Sequence, residues 1–162
     1  MAKQKEEKTN VMRVLEQRGI SYTPHTYEHE EGVAVDGVTV AQSLGQDPEC
    51  VFKTLVARGA SKGLYVFCIP VADSLDLKKA ARSVGEKSIE MIAVKEINAL
   101  TGYVRGGCSP VGMKKQYPTV FHETAEIVDT IMVSAGKIGF QVELAPDALI
   151  DLVGATTADV TV

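Results

Sequence analysis

The chain of 162 residues has no tryptophan, only three cysteines and only three histidines. Cys50, Cys68 and Cys108 are odd in number and show no CxxC spacing. That argues against a disulfide framework and against a structural zinc site. His25, His29 and His122 form no HExxH pattern, and Pro24 opposes a helix that would align the first two. No metal site and no cofactor are expected. No apolar run approaches the ~18 residues of a membrane span, so no membrane partner is expected. Met1 to Lys8 carry charge without an apolar core. A secretory signal is therefore not expected, and the simplest location is cytoplasmic. There is also no basic excess: 17 Lys and Arg stand against 21 Asp and Glu. A net charge of −4 argues against avid non-specific nucleic-acid binding, and DNA is not an expected partner. Repeats, linkers and low-complexity segments are absent.

What remains is ordinary globular composition, 45% hydrophobic and 23% charged. The length suits one domain over residues 1–162, with residues 1–8 expected to be flexible. Charge is unevenly spread. Residues 78–115 hold eight basic and three acidic side chains, whereas residues 116–162 hold one basic and seven acidic. The basic middle is either a solvated helix face or a footprint for a polyanion.

Periodicity and punctuation predict short elements. Asn10 caps a helix over Val11–Arg18 that Gly19 stops. Tyr22–His29 is extended, and Val38–Leu44 is a short helix. Val51–Ala57 and Leu64–Val71 form a hairpin-like pair of strands. A helix over Leu75–Val84 ends at Gly85. Ser88–Ile92 is a strand, Val94–Leu100 a helix, and Gly102–Gly107 a strand running into a loop. Thr119–Phe121, Ile127–Val133 and Phe140–Leu144 are strands. Pro146 opens a last helix, Asp147–Val153. Regular βαβ alternation is missing. The expected fold is therefore mixed α/β (α+β), with a mixed, mainly antiparallel, barrel-like sheet and peripheral short helices.

Three features point to chemistry. Lys53 lies in a strand with apolar residues on both faces, so it must reach solvent, pair, or point into a cavity where an ammonium meets an anionic group. Gly106-Gly107, in Thr101–Gly112, permits positive φ and close approach of backbone N–H groups to a ligand, or else makes a tight turn. The segment fails as a phosphate loop and as a GxSxG elbow, and neither Cys108 nor Ser109 has a base nearby in sequence. Ser134-Ala135-Gly136-Lys137-Ile138-Gly139 is a glycine turn bearing a lysine. Tyr22 and Tyr27 offer rings for stacking or for the core.

In order along the chain, His25-Thr26-Tyr27, Phe52-Lys53-Thr54-Leu55, Leu75 to Ala81, Thr101 to Gly112 and Ser134 to Gly139 resemble the YbaK family of free-standing aminoacyl-tRNA editing proteins. That family is related to the editing domain of bacterial prolyl-tRNA synthetases. The resemblance implies deacylation of mischarged tRNA, namely Cys-tRNA(Pro) and also Cys-tRNA(Cys), with the substrate's own thiol attacking its ester. It implies catalytic roles for Lys53 and for a backbone-lined site at Gly106 and Gly107. It implies substrate binding by Tyr27, Ser109, Pro110, Gly136 and Gly139. The acceptor stem would meet Lys78, Lys79, Lys114 and Lys115, and prolyl-tRNA synthetase is a possible partner. Two alternatives stand beside it: a deacylase of the same fold specific for alanine or serine, and a non-catalytic tRNA- or synthetase-binding module. A hydrolase using Cys108 or Ser109 is a third, opposed by the missing base.

Overall fold

The computed structural model describes residues 8–162; residues 1–7, most of the segment expected to be flexible, lie outside the described residues. In chain order the elements are α1 (Asn10–Gln17), β1 (Tyr22–Thr26), α2 (Gly37–Ser43), β2 (Phe52–Gly59), β3 (Leu64–Pro70), α3 (Leu77–Val84) and β4 (Ile89–Met91). There follow α4 (Ile97–Thr101), β5 (Thr119–His122), β6 (Ile131–Ser134), β7 (Phe140–Leu144), α5 (Pro146–Val153) and β8 (Thr156–Ala158). Two 3₁₀ turns, Val94–Glu96 and Glu123–Glu126, interrupt the connections.

The strands form two sheets. The larger has the order β4-β2-β3-β5-β8, and the smaller the order β1-β7-β6. Four of the six pairings are antiparallel, and β3–β5 and β5–β8 are parallel. A parallel bridge between Val51 and Met132 joins the sheets, with the Met132 N–H donating to the Cys50 carbonyl at 2.9 Å. The mixed, mainly antiparallel architecture is as expected, and the two joined sheets stop short of a closed barrel.

Apolar alternation explains the layering. Phe52 and Val56 of β2 join α1, β6 and β7 in one buried cluster, whereas Ala57, Phe67 and Ile69 face Ala80 and Ala81 of α3 in another. Phe52, Phe67 and Phe121 are fully enclosed, and each contributes about 1.5–3 kcal/mol of burial. One edge of β2 is divided. Its far end, Ala57–Gly59, pairs with β4, and just before its near end Val51 touches β6. Between these contacts the edge faces a cleft.

Three of the differences from expectation have a clear local cause. The cap of α1 is Thr9, whose hydroxyl accepts from the Met12 N–H at 3.3 Å; Asn10 is the first helical residue. Gly102–Gly107 forms no strand. Gly102 closes α4 at positive φ, the Tyr103 N–H turns back to the Thr101 hydroxyl, and the Gly107 N–H closes a turn on the Val104 carbonyl. The strand expected over Ile127–Val133 starts at Ile131, because the Ile127 N–H is bonded to Thr124 at the end of a 3₁₀ turn and its side chain is exposed.

Candidate active site

The cleft occupies about 950 Å³ where the two sheets meet. Its floor is Phe52–Val56 of β2. Residues 32–38, leading into α2, form one wall, and Met91, Ile92, Val94 and Ile97 form another. Arg105, Gly106 and Cys108 close one side, and Ser134 and Gln141 come from the small sheet. The volume is that of a small-molecule site, large enough for an aminoacyl nucleoside.

Lys53 is brought to this cleft, half-buried. No ion pair within 4 Å holds it among the described residues. Desolvation pulls its pKa below the usual lysine range, and the field of Asp73 partly opposes this. The ammonium is thus poorly compensated by the protein and suited to meet an anionic or ester oxygen of a ligand. Tyr27 also lines the cleft, buried at the end of β1, with its N–H donating to the Gly139 carbonyl at 3.0 Å.

The glycine loop divides. Gly106 lines the cleft at φ +86°, where a Cβ would lie 2.7 Å from the Ala34 methyl. Its freedom lets the loop pass close to the wall formed by residues 32–38. Gly107 is packed against the backbone of Lys137 and Ile138, and its N–H is bonded to the Val104 carbonyl at 2.9 Å. The Gly107 N–H is therefore committed to the turn that positions Gly106.

Ser109 and Pro110 lie on the other side of the loop. Both are buried behind the loop, and the Ser109 hydroxyl accepts from the Val111 N–H at 3.3 Å. They shape the loop without lining the cleft. Gly136 and Gly139 likewise stay outside the lining. The first turns against Tyr103 and Val11, and the second lies against the His29 ring. They hold the β6–β7 turn under the Gly106 loop.

Cys108 lines the cleft, but burial pushes its thiol up to about 11. Its sequence neighbourhood and the cleft wall supply no histidine, and no cleft-lining carboxylate contacts it. A thiol so rarely ionised is a poor nucleophile. Among the described residues no group of three or more His, Cys, Asp or Glu is arranged to hold a metal ion.

The four lysines assigned to the acceptor stem lie outside the lining. Lys78, Lys114 and Lys115 are exposed. Lys79 differs: its ammonium donates to Asp159 at 3.0 Å and to the Thr161 carbonyl at 2.8 Å, tying α3 to the end of the chain. Arg105, exposed at the cleft itself, was not anticipated, nor was Gln141. Gln141 alternates with Phe140 and Val142 in β7, so the sequence puts it only on the face opposite theirs. The enclosure of that face beside the α2 approach is a tertiary effect.

The aminoacyl-tRNA editing domain family matches residues 32–152, which include Lys53, the glycine loop and Gln141. The chain belongs to that family. It is 46% identical, over 99% of its length and 98% of the relative's, to an Enterococcus faecalis protein named Cys-tRNA(Pro)/Cys-tRNA(Cys) deacylase EbsC. A crystal structure described as a trans-editing enzyme for prolyl-tRNA synthetase superposes with a TM-score of 0.79 at 27% identity, covering 94% of both chains. The hypothetical protein APE2540, at 23% identity and TM-score 0.83, covers 94% of this chain and 99% of its own, and shows the same fold. The editing-domain match spans every residue of the cleft lining except Tyr27, which lies just outside the matched segment.

Proposed function

We propose that this editing domain is a deacylase that cleaves cysteine from Cys-tRNA(Pro) and from Cys-tRNA(Cys). The observation that carries the reading is the 46% identity, end to end, with a protein bearing that name. The chemistry of the cleft supports it. With the Cys108 thiol held protonated and no base beside it, the protein's part is to orient and polarise. The cysteinyl thiol of the substrate attacks its own ester carbonyl. A C–S bond forms, the C–O bond to the ribose breaks, and the thiol proton ends on the departing 3′ oxygen. The products are a cyclic thiolactone and uncharged tRNA.

Holding a tethered thiol against its carbonyl replaces a bimolecular step, an advantage of up to ~7–11 kcal/mol in well-oriented cases. In this reading Gly106, which lines the cleft, gives its N–H to the developing oxyanion, and one such donor is worth about 3 kcal/mol. Lys53 holds the ribose or phosphate of the terminal adenosine. The exposed Lys78, Lys114 and Lys115 meet the acceptor stem, and prolyl-tRNA synthetase is the partner that supplies tRNA choice.

The test is deacylation of proline tRNA charged with cysteine, alanine, serine or proline, using purified protein. Cysteine is expected to be removed and the others spared. Removal of alanine or serine instead assigns a sibling specificity. No rate above the protein-free control overturns the reading.

A further inference from the structure

Gln141 is 7% exposed and lines the cleft, yet its side-chain carbonyl oxygen has no hydrogen-bond partner. Burying an unsatisfied acceptor is costly, and native proteins rarely tolerate it without a reason. Three other polar side chains of the lining, Asp36, Ser134 and Thr54, have local partners. The Asp36 carboxylate caps α2, accepting from the Thr39 N–H at 2.9 Å and the Thr39 hydroxyl at 2.6 Å. The Ser134 hydroxyl accepts from the Gly136 N–H at 3.1 Å, and the Thr54 hydroxyl lies 3.7 Å from the Cys68 sulfur. The cleft therefore has two cations, Lys53 and Arg105, and its one carboxylate, Asp36, is taken up by the α2 cap.

We infer that Gln141 is the acceptor for the α-amino group of the aminoacyl ester, an inference that rests on the deacylase reading. Ser134 and Gln141 face each other in the β6–β7 register, which fixes the glutamine against the sheet. A half-turn about the last side-chain bond exchanges the amide's oxygen and nitrogen, so the acceptor reaches the cleft without backbone movement. An ammonium is a strong, charge-assisted donor. A thiol is a weak one, and it must lose its proton to react, so an acceptor that held that proton would oppose the chemistry. The neutral amide also avoids an ion pair with Lys53, which leaves the lysine for the oxygen side of the substrate. Esters whose amino group is already acylated, such as peptidyl-tRNA, present bulk instead of an ammonium at this buried position and are rejected.

The test pairs two esters with three proteins. Wild type, Gln141→Leu and Gln141→Glu are assayed on cysteinyl-tRNA(Pro) and on 3-mercaptopropionyl-tRNA(Pro), which keeps the thiol and lacks the amino group. In wild type, removing the amino group is expected to lower kcat/KM about tenfold or more. Gln141→Leu should lower the cysteinyl rate similarly and show little further loss with the des-amino ester. Gln141→Glu, which keeps an acceptor, should retain the preference for the amino group. Equal factors in wild type and Gln141→Leu overturn the proposal, because the two losses are then independent. If wild type cleaves neither ester, the deacylase reading has failed, and binding decides the remainder. The side-chain amide resonances of Gln141 are followed by NMR while L-cysteine methyl ester or methyl 3-mercaptopropionate is added. A shift with the first and not the second supports the assignment. Equal shifts, or none, overturn it.

Discussion

The two sheets contribute opposite anomalies to the cleft. The five-stranded sheet is apolar on both faces and offers one cation, Lys53, half-desolvated and without an ion pair among the described residues. The three-stranded sheet carries polar groups on one face, where His25 meets Glu143 at 2.8 Å, and it buries one of them, Gln141, without a partner for its oxygen. Each sheet satisfies its ordinary groups and breaks its own rule where it meets the other. A stable fold of this size tolerates few such exceptions, so their convergence on one cleft marks the place where stability yields to function.

The most direct way to break this comparison is to remove the cation. Lys53→Ala is expected to lower kcat/KM by about 10²- to 10³-fold with the fold retained. Turnover at the wild-type rate would return Lys53 to a solvent-reaching role. Lys53→Met sharpens the same point through stability. A lysine whose folded pKa is lowered destabilises the native state below that pKa, and the penalty is relieved as pH rises toward the unfolded value near ~10.4. The methionine variant should melt higher than wild type at neutral pH, and the difference should shrink in alkaline solution. A gap in melting temperature that widens with pH would contradict the desolvation of Lys53.

The glycine between the sheets comes next. Gly106→Ala puts a methyl against Ala34 in a left-handed backbone conformation, which costs roughly 1–2 kcal/mol. Activity should fall about 10- to 100-fold if the loop's N–H must reach the oxyanion. Denaturant melts separate the two losses, and an activity loss no larger than the stability loss would remove Gly106 from the chemistry.

Charge reversal at Lys78, Lys114 and Lys115 should raise KM several-fold with little change in kcat, because stem contacts are made equally in ground and transition states. It should spare a cysteinyl-adenosine minimal substrate. A KM for full-length tRNA indifferent to salt between about 50 and 200 mM would leave these lysines a solvated surface. The smallest effect belongs to Cys108→Ala, which should keep activity within about tenfold. A loss beyond about 10³-fold in an intact fold would make the thiol a nucleophile.

The sequence was most legible where local chemistry decides. Gly85 and Gly154 end their helices at positive φ, and Pro146 opens α5, all at the positions that punctuation predicts. Lys53 stood out because strand alternation leaves no polar face for it. Residue type said least where distant segments choose. Gly107 was read as a donor because the turn that uses its N–H is closed by Val104, and turn closure is invisible in residue type. Ser109 and Pro110 sit in the right loop but on its buried side. Lys79 looked like its neighbour Lys78 until the chain end folded back to offer Asp159. Gln141 had no signal of its own, since alternation in β7 is equally compatible with water and with an enclosed cleft.

The pairing of β1 with β7 also sets an order in time. Tyr22 lies opposite Leu144, so the first strand of the small sheet waits for residues made more than a hundred positions later. β7 is the central strand of that sheet, flanked by β1 and β6, and β1 finds no other strand to join. During synthesis at ~5–20 residues per second, β1 therefore remains an unpaired edge for several seconds. The wall bearing Gln141 and the anchor for Tyr27 arise in the same late event, whereas the β2–β3 hairpin that carries Lys53 closes locally and early. Ligand-binding competence thus appears only once β7 has been made. A nascent chain arrested before residue 140 would present the lysine without its opposing wall.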